Sequence, residues 1–140
     1  MRVLLDTNIL ISYLLKRETK TITTILEAAF QSRYILLLPH DLVIEFTKKL
    51  TEKPYLATHI TKKDAQEFIE ALSIIAEEVP RIPEPIPQVS RDKKDDYLLA
   101  YGVVGEVDYL VSGDTDVRVL PRIGSMKIVS PKEFCEILKR

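Results

Sequence analysis

The first residues of the chain constrain its fold most, because an apolar run there ends directly on an acidic residue. Residues 3–5 are Val-Leu-Leu, three consecutive aliphatic side chains, which is typical of a strand buried on both faces of a sheet. Asp6 follows at once, and apolar residues at helical spacing begin at Ile9. In open sheets that alternate with helices, ligands bind at the carboxyl ends of the strands. The sequence therefore predicts that Asp6 lies at a ligand-binding edge.

The overall composition predicts one domain over residues 1–140, long enough to bury a core without disulfides. Hydrophobic residues make up 46% and charged residues 29%, which excludes wholesale disorder. The net charge of −1 gives no general attraction to nucleic acid, so such binding must be local or use bound cations. With a single cysteine, Cys135, and no stretch near the roughly 18 apolar residues of a membrane span, we expect a cytoplasmic protein with no membrane segment or signal peptide.

Apolar runs predict three more strands, at residues 34–38, 107–112 and 127–129, and the first of these runs contains no charge. A short edge strand at residues 79–82 is an additional candidate, confined to an edge by Pro80. Helical spacing fills the intervals, at residues 9–14, 22–30, 41–53, 61–76, 92–104 and 131–138, and less clearly at 117–120. Helices between successive strands predict an α/β fold: a three-layer α/β/α Rossmann-like sandwich with a parallel sheet of four to five strands.

Local signals predict where these helices begin and end. Thr61 with Asp64, and Ser130 with Glu133, have the spacing of capping boxes. Ser90 and Asp92 offer N-caps for the helix that runs to Val104, and Gly105 is expected to stop it. Pro54 is expected to end its helix and to lead into a short apolar turn at residues 55–57.

Acidic side chains from four parts of the chain converge on one edge of the predicted sheet. Asp6 and Asp114 directly follow apolar strands, and Glu45 lies on the helix that leaves the second strand. Asp96 begins a later helix.

Asp96 shares one face of its helix with Ala100 and Val103, the face expected to pack on the sheet. Asp95 points about 100° away, so only one of this pair can face the common site. We favour Asp96, because the small Ala100 allows its helix to approach closely.

Each acid alone has a plainer explanation. Asp114 as a helix cap and Glu45 paired with Lys49 at i+4 are the commoner situations. Asp6 is different, because it ends a buried strand and Asn8 is available to cap the next helix. Four carboxylates gathered without cations among them would repel one another. We therefore expect a divalent metal ion to neutralise them.

The donor set predicts which metal and which chemistry. Carboxylate oxygens, with His40 and His59 isolated, favour Mg²⁺ or Mn²⁺ over Zn²⁺. Such ions keep several bound waters, which suits hydrolysis of phosphodiester bonds. One ion activates the attacking water, and the same or a second ion stabilises the leaving oxygen. We expect one or two ions and no side-chain nucleophile.

Three blocks of this sequence resemble the PIN domain. They are Val3 to Leu10, Arg91 to Ala100 and Asp108 to Asp116, with Glu45 between the first two. They are most similar to bacterial and archaeal PIN proteins that are toxins of toxin–antitoxin pairs, the relatives of VapC-type toxins. The likeness spans nearly the whole chain, in the order and spacing of that family.

The resemblance implies a metal-dependent endoribonuclease. By position, Asp6, Glu45, Asp96 and Asp114 match the family's catalytic and metal-binding quartet, and Asp116 matches a further acid that often assists in metal binding. Asn8 and Ser112 match polar residues that orient the first aspartate and the last loop. Whether Asp92 or Asp95 assists stays open.

Basic side chains near these acids are candidates for contacts to RNA phosphates, and each is equally well explained as solvated helix surface. They are Lys48, Lys49, Lys53, Arg91, Lys93 and Lys94. Tyr13 and Tyr97 could stack on bases, although packing is the simpler interpretation. The resemblance also implies a homodimer and an antitoxin partner over the metal edge.

Rival classes share parts of this pattern. A haloacid dehalogenase phosphatase needs a second acid where this chain has Asn8. A phospho-acceptor signalling module binds Mg²⁺ on a similar sheet and needs a late lysine, which Lys132 matches only loosely. A PIN fold that binds RNA without cutting it is a third alternative, and the intact acids argue against it.

Overall fold

The computed structural model describes residues 1–16, 20–83, 93–113 and 122–140, and for residues 93–96 and 122 it describes the backbone alone. The strands of these ranges are β1 (Arg2–Leu5), β2 (Ile35–Leu37), β3 (Tyr109–Val111), β4 (Arg122–Ile123) and β5 (Met126–Val129). The helices are α1 (Thr7–Leu14), α2 (Lys20–Phe30), α3 (His40–Glu52), α4 (Pro54–His59), α5 (Lys62–Ile75), α6 (Lys93–Val104) and α7 (Pro131–Leu138).

One sheet of five strands, in the order β2-β1-β3-β5-β4, forms the centre of the fold. The first four of these strands are parallel, and only β4 runs antiparallel, against β5. Val3 of β1 pairs with Leu36 on one side and with Tyr109 on the other. The run Val3 to Leu5 is at most 1% exposed, which confirms the prediction of a strand covered on both faces.

The connections between the strands give the fold its three layers. The chain passes from β1 to β2 in one direction and then crosses back over β1 to reach β3. Parallel crossovers are right-handed, so connections that leave in opposite directions place their helices on opposite faces. Helix α2 packs against α7, and α3 packs against α4. The predicted α/β/α sandwich with a parallel sheet of four strands is confirmed.

β1 is the strand at which the direction of the chain across the sheet reverses. Its neighbours β2 and β3 are reached by crossovers of opposite direction, the arrangement at which ligands bind in sheets of this kind. Asp6 follows β1 directly, and its backbone N donates a 3.0 Å hydrogen bond to the carbonyl of Val111 in β3. Asp6 therefore lies at the carboxyl edge of the sheet, as predicted.

The strongest helix-start signals are confirmed. The Oγ1 of Thr61 accepts a 3.0 Å hydrogen bond from the backbone N of Asp64, which caps α5. Ser130 and Glu133 form the reciprocal pair of a capping box at the start of α7, with Pro131 in its first turn. Pro54 differs from its prediction: residues 54–59 form the helix α4 rather than a turn, because proline at the first helical position needs no hydrogen bond to its nitrogen.

Two predictions about strands need correction. Residues 79–82 form no strand, and the chain instead makes one parallel bridge earlier, between Glu77 and Leu37. β4 was not predicted at all, although Gly124 and Ser125 separate it from β5 by the two residues of a tight hairpin. The helix predicted at 117–120 lies outside the described residues, as do the caps Ser90 and Asp92.

The end of α6 also differs from its prediction. Glu106, not Gly105, has the left-handed backbone that ends the helix, with φ of 52°. The backbone N of Glu106 donates to the carbonyl of Val103 and that of Val107 to Gly102, which is the Schellman pattern. A Cβ on Gly105 would lie 2.4 Å from the side chain of Leu37, so a larger residue would clash at this position.

The face of α6 that packs on the sheet is not the predicted one. Leu98, Leu99 and Tyr101 are buried, whereas Val103 is 50% exposed. The face shared by Asp96, Ala100 and Val103 therefore is not the centre of the buried stripe.

None of the helices in the described part of the chain has the length and apolar character needed to cross a membrane.

Candidate functional site

Asp6 lies at the centre of a hydrogen-bond network at the carboxyl edge of the sheet. Its side chain is the N-cap of α1 and is only 6% exposed. Oδ1 accepts from the backbone N of Asn8 at 3.2 Å and from Oγ1 of Thr7 at 3.3 Å. Asn8, which the sequence offered as an alternative cap, lies within the first turn with an exposed side chain, and Asp6 caps the helix itself. Asp6 is therefore both a residue of the candidate site and the N-cap of α1.

Ser112 links the end of β3 to this aspartate. Its side chain is fully buried, and its Oγ donates a 2.8 Å hydrogen bond to Oδ2 of Asp6. The backbone N of Ser112 donates to the carbonyl of Val129 at 3.0 Å, which extends the pairing of β3 with β5. Backbone pairing in the sheet therefore fixes the position of Ser112, and its hydroxyl orients Asp6.

Thr7 is a buried polar residue of the network that the sequence analysis did not single out. Its side chain is fully buried, and besides donating to Asp6 its Oγ1 accepts a 2.8 Å hydrogen bond from Nζ of Lys49. A hydroxyl between Asp6 and Asn8, directly after a buried strand, is the signal that could have identified it. Thr7 joins the β1–α1 turn to helix α3.

Glu45 and Lys49 bring helix α3 into the same network. Nζ of Lys49 lies 3.0 Å from Oε1 of Glu45, and the two side chains are 21% and 23% exposed. The same Nζ approaches Oδ1 of Asn8 at 3.4 Å. Lys49 therefore places a cation beside Glu45, whereas the metal ion was inferred from acids considered without a cation among them. The pairing of Glu45 with Lys49, considered as the plainer alternative, is present.

Helix α6 is held against the start of α3 by a buried tyrosine. Tyr101 is fully buried, and its hydroxyl donates a 2.5 Å hydrogen bond to Oδ2 of Asp41 while accepting from the backbone N of Ile82 at 3.1 Å. Burial raises the pKa of Tyr101, so that the hydroxyl keeps the proton that it donates. This contact fixes the helix that carries Asp96 relative to the helix that carries Glu45.

The structure describes only some of the predicted site residues. Asp6, Asn8, Glu45, Lys49 and Ser112 are brought together. Asp96, Lys93 and Lys94 lie in the first turn of α6, where the backbone alone is described. Arg91, Asp114 and Asp116 lie outside the described residues. Among the described side chains, no three acidic, histidine or cysteine groups gather as metal ligands.

The comparison with known families decides what kind of domain this is. Residues 2–116, most of the chain, match the family model of the PIN domain. The chain belongs to the PIN domain family. No protein of curated function matches the sequence significantly.

One solved structure has a similar fold. It is the crystal structure of VapBC2 from Rickettsia felis bound to a DNA fragment from their promoter, and the match has a TM-score of 0.59 over 93% of this chain and 98% of that one. At 11% identity this likeness concerns the fold alone. It supports the arrangement of sheet and helices described above.

The carboxylate of Asp6 in this PIN domain accepts three hydrogen bonds from the described residues. A carboxylate offers about four lone-pair directions, and Thr7, Asn8 and Ser112 occupy three of them, which leaves one for a metal ion as far as the described part of the chain is concerned. Glu45 already binds a cation, the ammonium group of Lys49. Carboxylate oxygens held by a rigid hydrogen-bonded shell are the donors that a hard divalent ion such as Mg²⁺ or Mn²⁺ prefers, and such an ion would take the place of the ammonium group on Glu45.

Other predicted contact residues of the PIN domain have structural roles. Tyr13 stacks on Phe68 with ring centroids 5.3 Å apart, and Tyr97 packs edge-on against Tyr101 at 6.3 Å. Both tyrosines therefore pack within the protein, as the simpler interpretation held. Lys48 lies away from the network and faces Glu52 at 4.0 Å.

Proposed function

We propose that this PIN domain is a metal-dependent endoribonuclease that hydrolyses phosphodiester bonds of RNA. The observation that carries the proposal is the partly buried network Ser112–Asp6–Thr7–Lys49–Glu45 at the switch point of the sheet. It holds two carboxylates from separate chain segments beside the same turn, in a domain whose family is generally associated with nucleases. Membership of the PIN family also favours this function over the phospho-acceptor module.

The metal site that we propose extends beyond the described side chains. Asp6 and Glu45 would hold Mg²⁺ or Mn²⁺ together with Asp96, which lies in the first turn of α6, and with Asp114 and Asp116, which follow Ser112 closely in the sequence. When bound, one or two ions supply an activated water and stabilise the leaving oxygen. The protein's own groups orient the ligands: Ser112 and Thr7 fix Asp6, and Asn8 offers an exposed amide at the rim.

Contacts to RNA would come from basic residues around this centre. Lys93 and Lys94 begin the helix of Asp96, and Arg91 precedes them in the sequence. Single-stranded RNA is the proposed substrate, since a site at a sheet edge is open to a flexible backbone. We also propose that the protein is the toxin of a toxin–antitoxin pair in the cytoplasm, forms a homodimer and binds an antitoxin; the fold likeness to the toxin–antitoxin proteins of VapBC2 supports the antitoxin.

The test is cleavage of a labelled single-stranded RNA by the purified chain. We expect internal cuts with Mn²⁺ or Mg²⁺, none with EDTA, and recovery when the metal is restored. Glu45→Gln removes a proposed ligand with little change in shape, and Glu52→Gln is its matched control, since Glu52 lies on the same helix with a side chain 62% exposed. We expect Glu45→Gln to abolish cleavage and Glu52→Gln to retain it.

Three outcomes would contradict the proposal. Cleavage that persists in EDTA would exclude a metal-dependent reaction. Full activity of Glu45→Gln would remove this residue from the site. Tight RNA binding without cleavage, under every metal condition, would favour the alternative of a PIN fold that binds RNA without cutting it.

A further inference from the structure

The ammonium group of Lys49 is held inside the acidic site rather than on the surface of its helix. Its Nζ contacts Oε1 of Glu45 at 3.0 Å, Oγ1 of Thr7 at 2.8 Å and Oδ1 of Asn8 at 3.4 Å. The three acceptors come from two separate elements, α3 and the first turn of α1. These three contacts fix the position of the Lys49 ammonium group within the site.

The preceding lysine on the same helix forms an ordinary surface pair. Lys48 and Glu52 are also four residues apart, with the lysine first, but the charged atoms are 4.0 Å apart and the side chains are 67% and 62% exposed. In the pair of Glu45 and Lys49 the glutamate comes first, which is the more favourable order on a helix, and the charged atoms are 3.0 Å apart with both side chains only about a fifth exposed. The order of the pair accounts for part of this difference, whereas the two acceptors of Lys49 in α1 lie on another helix and are not explained by helix spacing.

A divalent ion and the ammonium group of Lys49 compete for the same acid. Oε1 of Glu45 directs a lone pair at Nζ of Lys49, and a metal ion on that oxygen would stand within a few ångströms of a positive charge. The repulsion is strongest where water is partly excluded, as in this network. The flexible stem of a lysine allows its head group to leave without disturbing the backbone.

We propose that Lys49 is the resident counter-ion of the site: it neutralises Glu45 while no divalent ion is bound and must be displaced when Mg²⁺ or Mn²⁺ enters. Lys49 is thus a positioning residue that sets the metal affinity of the protein. This inference rests on the metal site proposed above, although it does not require that the metal-bound protein cut RNA.

The experiment measures Mn²⁺ affinity of the full chain from the free-ion signal in electron paramagnetic resonance, in the absence of RNA. We expect Lys49→Met to bind Mn²⁺ about threefold to tenfold more tightly than the unmodified protein, which is roughly 0.7–1.4 kcal/mol. Lys48→Met removes the same charge one residue away and should leave the affinity unchanged. An affinity of Lys49→Met that equals that of Lys48→Met, or falls below it, would overturn the inference.

A second measurement uses the unmodified protein and so does not depend on the folding of a variant. Acetic anhydride labels accessible lysines, and mass spectrometry reports each position. We expect Lys49 to be labelled more slowly than Lys48 in metal-free buffer, and its labelling to rise on addition of Mn²⁺ while that of Lys48 does not change. Unchanged protection of Lys49 at saturating Mn²⁺ would show that the ammonium group is not displaced.

These results are separable from those that test the nuclease function. Tighter Mn²⁺ binding by Lys49→Met, in a protein that cuts no RNA, would support the counter-ion and refute the nuclease. Metal-dependent cleavage, together with equal Mn²⁺ affinities of Lys49→Met and Lys48→Met, would support the nuclease and refute the counter-ion. Absence of Mn²⁺ binding in both the unmodified protein and Lys49→Met would overturn the counter-ion together with the metal site.

Discussion

The hydroxyl of Ser112 donates a 2.8 Å hydrogen bond to Oδ2 of Asp6, although 106 residues separate the two in the chain. Ser112 directly follows β3 and Asp6 directly follows β1, and these strands are neighbours in register, with Leu5 beside Val111. The contact is therefore a consequence of the parallel pairing. It fixes one oxygen of the aspartate while Thr7 and Asn8 fix the other.

Ser112→Ala should destabilise the protein, because it leaves Oδ2 of a buried carboxylate without this donor. We expect a loss of about 1–3 kcal/mol in the free energy of unfolding, measured by urea denaturation in metal-free buffer. Ser73→Ala is the matched control: its exposed hydroxyl bonds only to a carbonyl of its own helix, so its effect should stay within about 0.5 kcal/mol. Equal effects of the two substitutions would show that the Ser112 contact contributes little.

Asp6→Asn and Asp6→Ala should separate the structural role of this residue from its proposed catalytic one. Asparagine keeps an oxygen that can cap α1 and gains an amide that can donate to Ser112, so its stability should stay within about 1 kcal/mol. Alanine loses the cap and leaves Thr7 and Ser112 without their acceptor, at a cost of about 1–3 kcal/mol.

Cleavage of RNA should be abolished in both Asp6 variants, since each removes the charge that would bind the metal ion. The measurements are thermal unfolding and the RNA assay, performed on the same preparations. An active Asp6→Asn protein would mean that Asp6 serves only as a helix cap.

Asp95 and Asp96 can be distinguished by substitution of each in turn. The PIN motif assigns Asp96, whereas Leu98 and Leu99, the buried residues one turn further on, stand three and four positions after Asp95. We expect Asp96→Asn to lower RNA cleavage by about 100-fold or more and Asp95→Asn to lower it by less than about 10-fold. A larger loss of cleavage in Asp95→Asn than in Asp96→Asn would show that the acid of the site is Asp95, on the side of α6 that leads into its buried residues, rather than the acid at the motif position.

Glu106→Gly should stabilise the protein, although it shortens a side chain. Glu106 ends α6 with φ of 52°, a conformation that strains any residue with a Cβ. Glycine removes that strain, and we expect a gain of about 0.5–1 kcal/mol in the free energy of unfolding. Glu106→Ala, which keeps the Cβ, is the control and should give no gain. If both variants gain equally, the cause is the lost charge rather than the backbone.

Several features of the fold follow from the sequence alone because they depend on neighbours in the chain. The run Val3 to Leu5 predicts a strand covered on both faces, and the spacing of Ser130 with Glu133 predicts the start of the last helix; both are confirmed. The edge position of Asp6 follows in the same way, since a residue after a parallel strand must lie at its carboxyl end. β4 was missed because a strand of two residues carries no periodicity.

The side-chain network of the site was decided only by the tertiary structure. That Lys49 extends to Thr7, and Ser112 to Asp6, depends on how α3 packs against α1 and on which strands become neighbours. Lys48 and Lys49 each stand four residues from a glutamate, on opposite sides, yet only Lys49 contacts acceptors on another helix. Local pattern fixes which element a residue belongs to, whereas the packing of distant elements decides which acceptors its side chain meets.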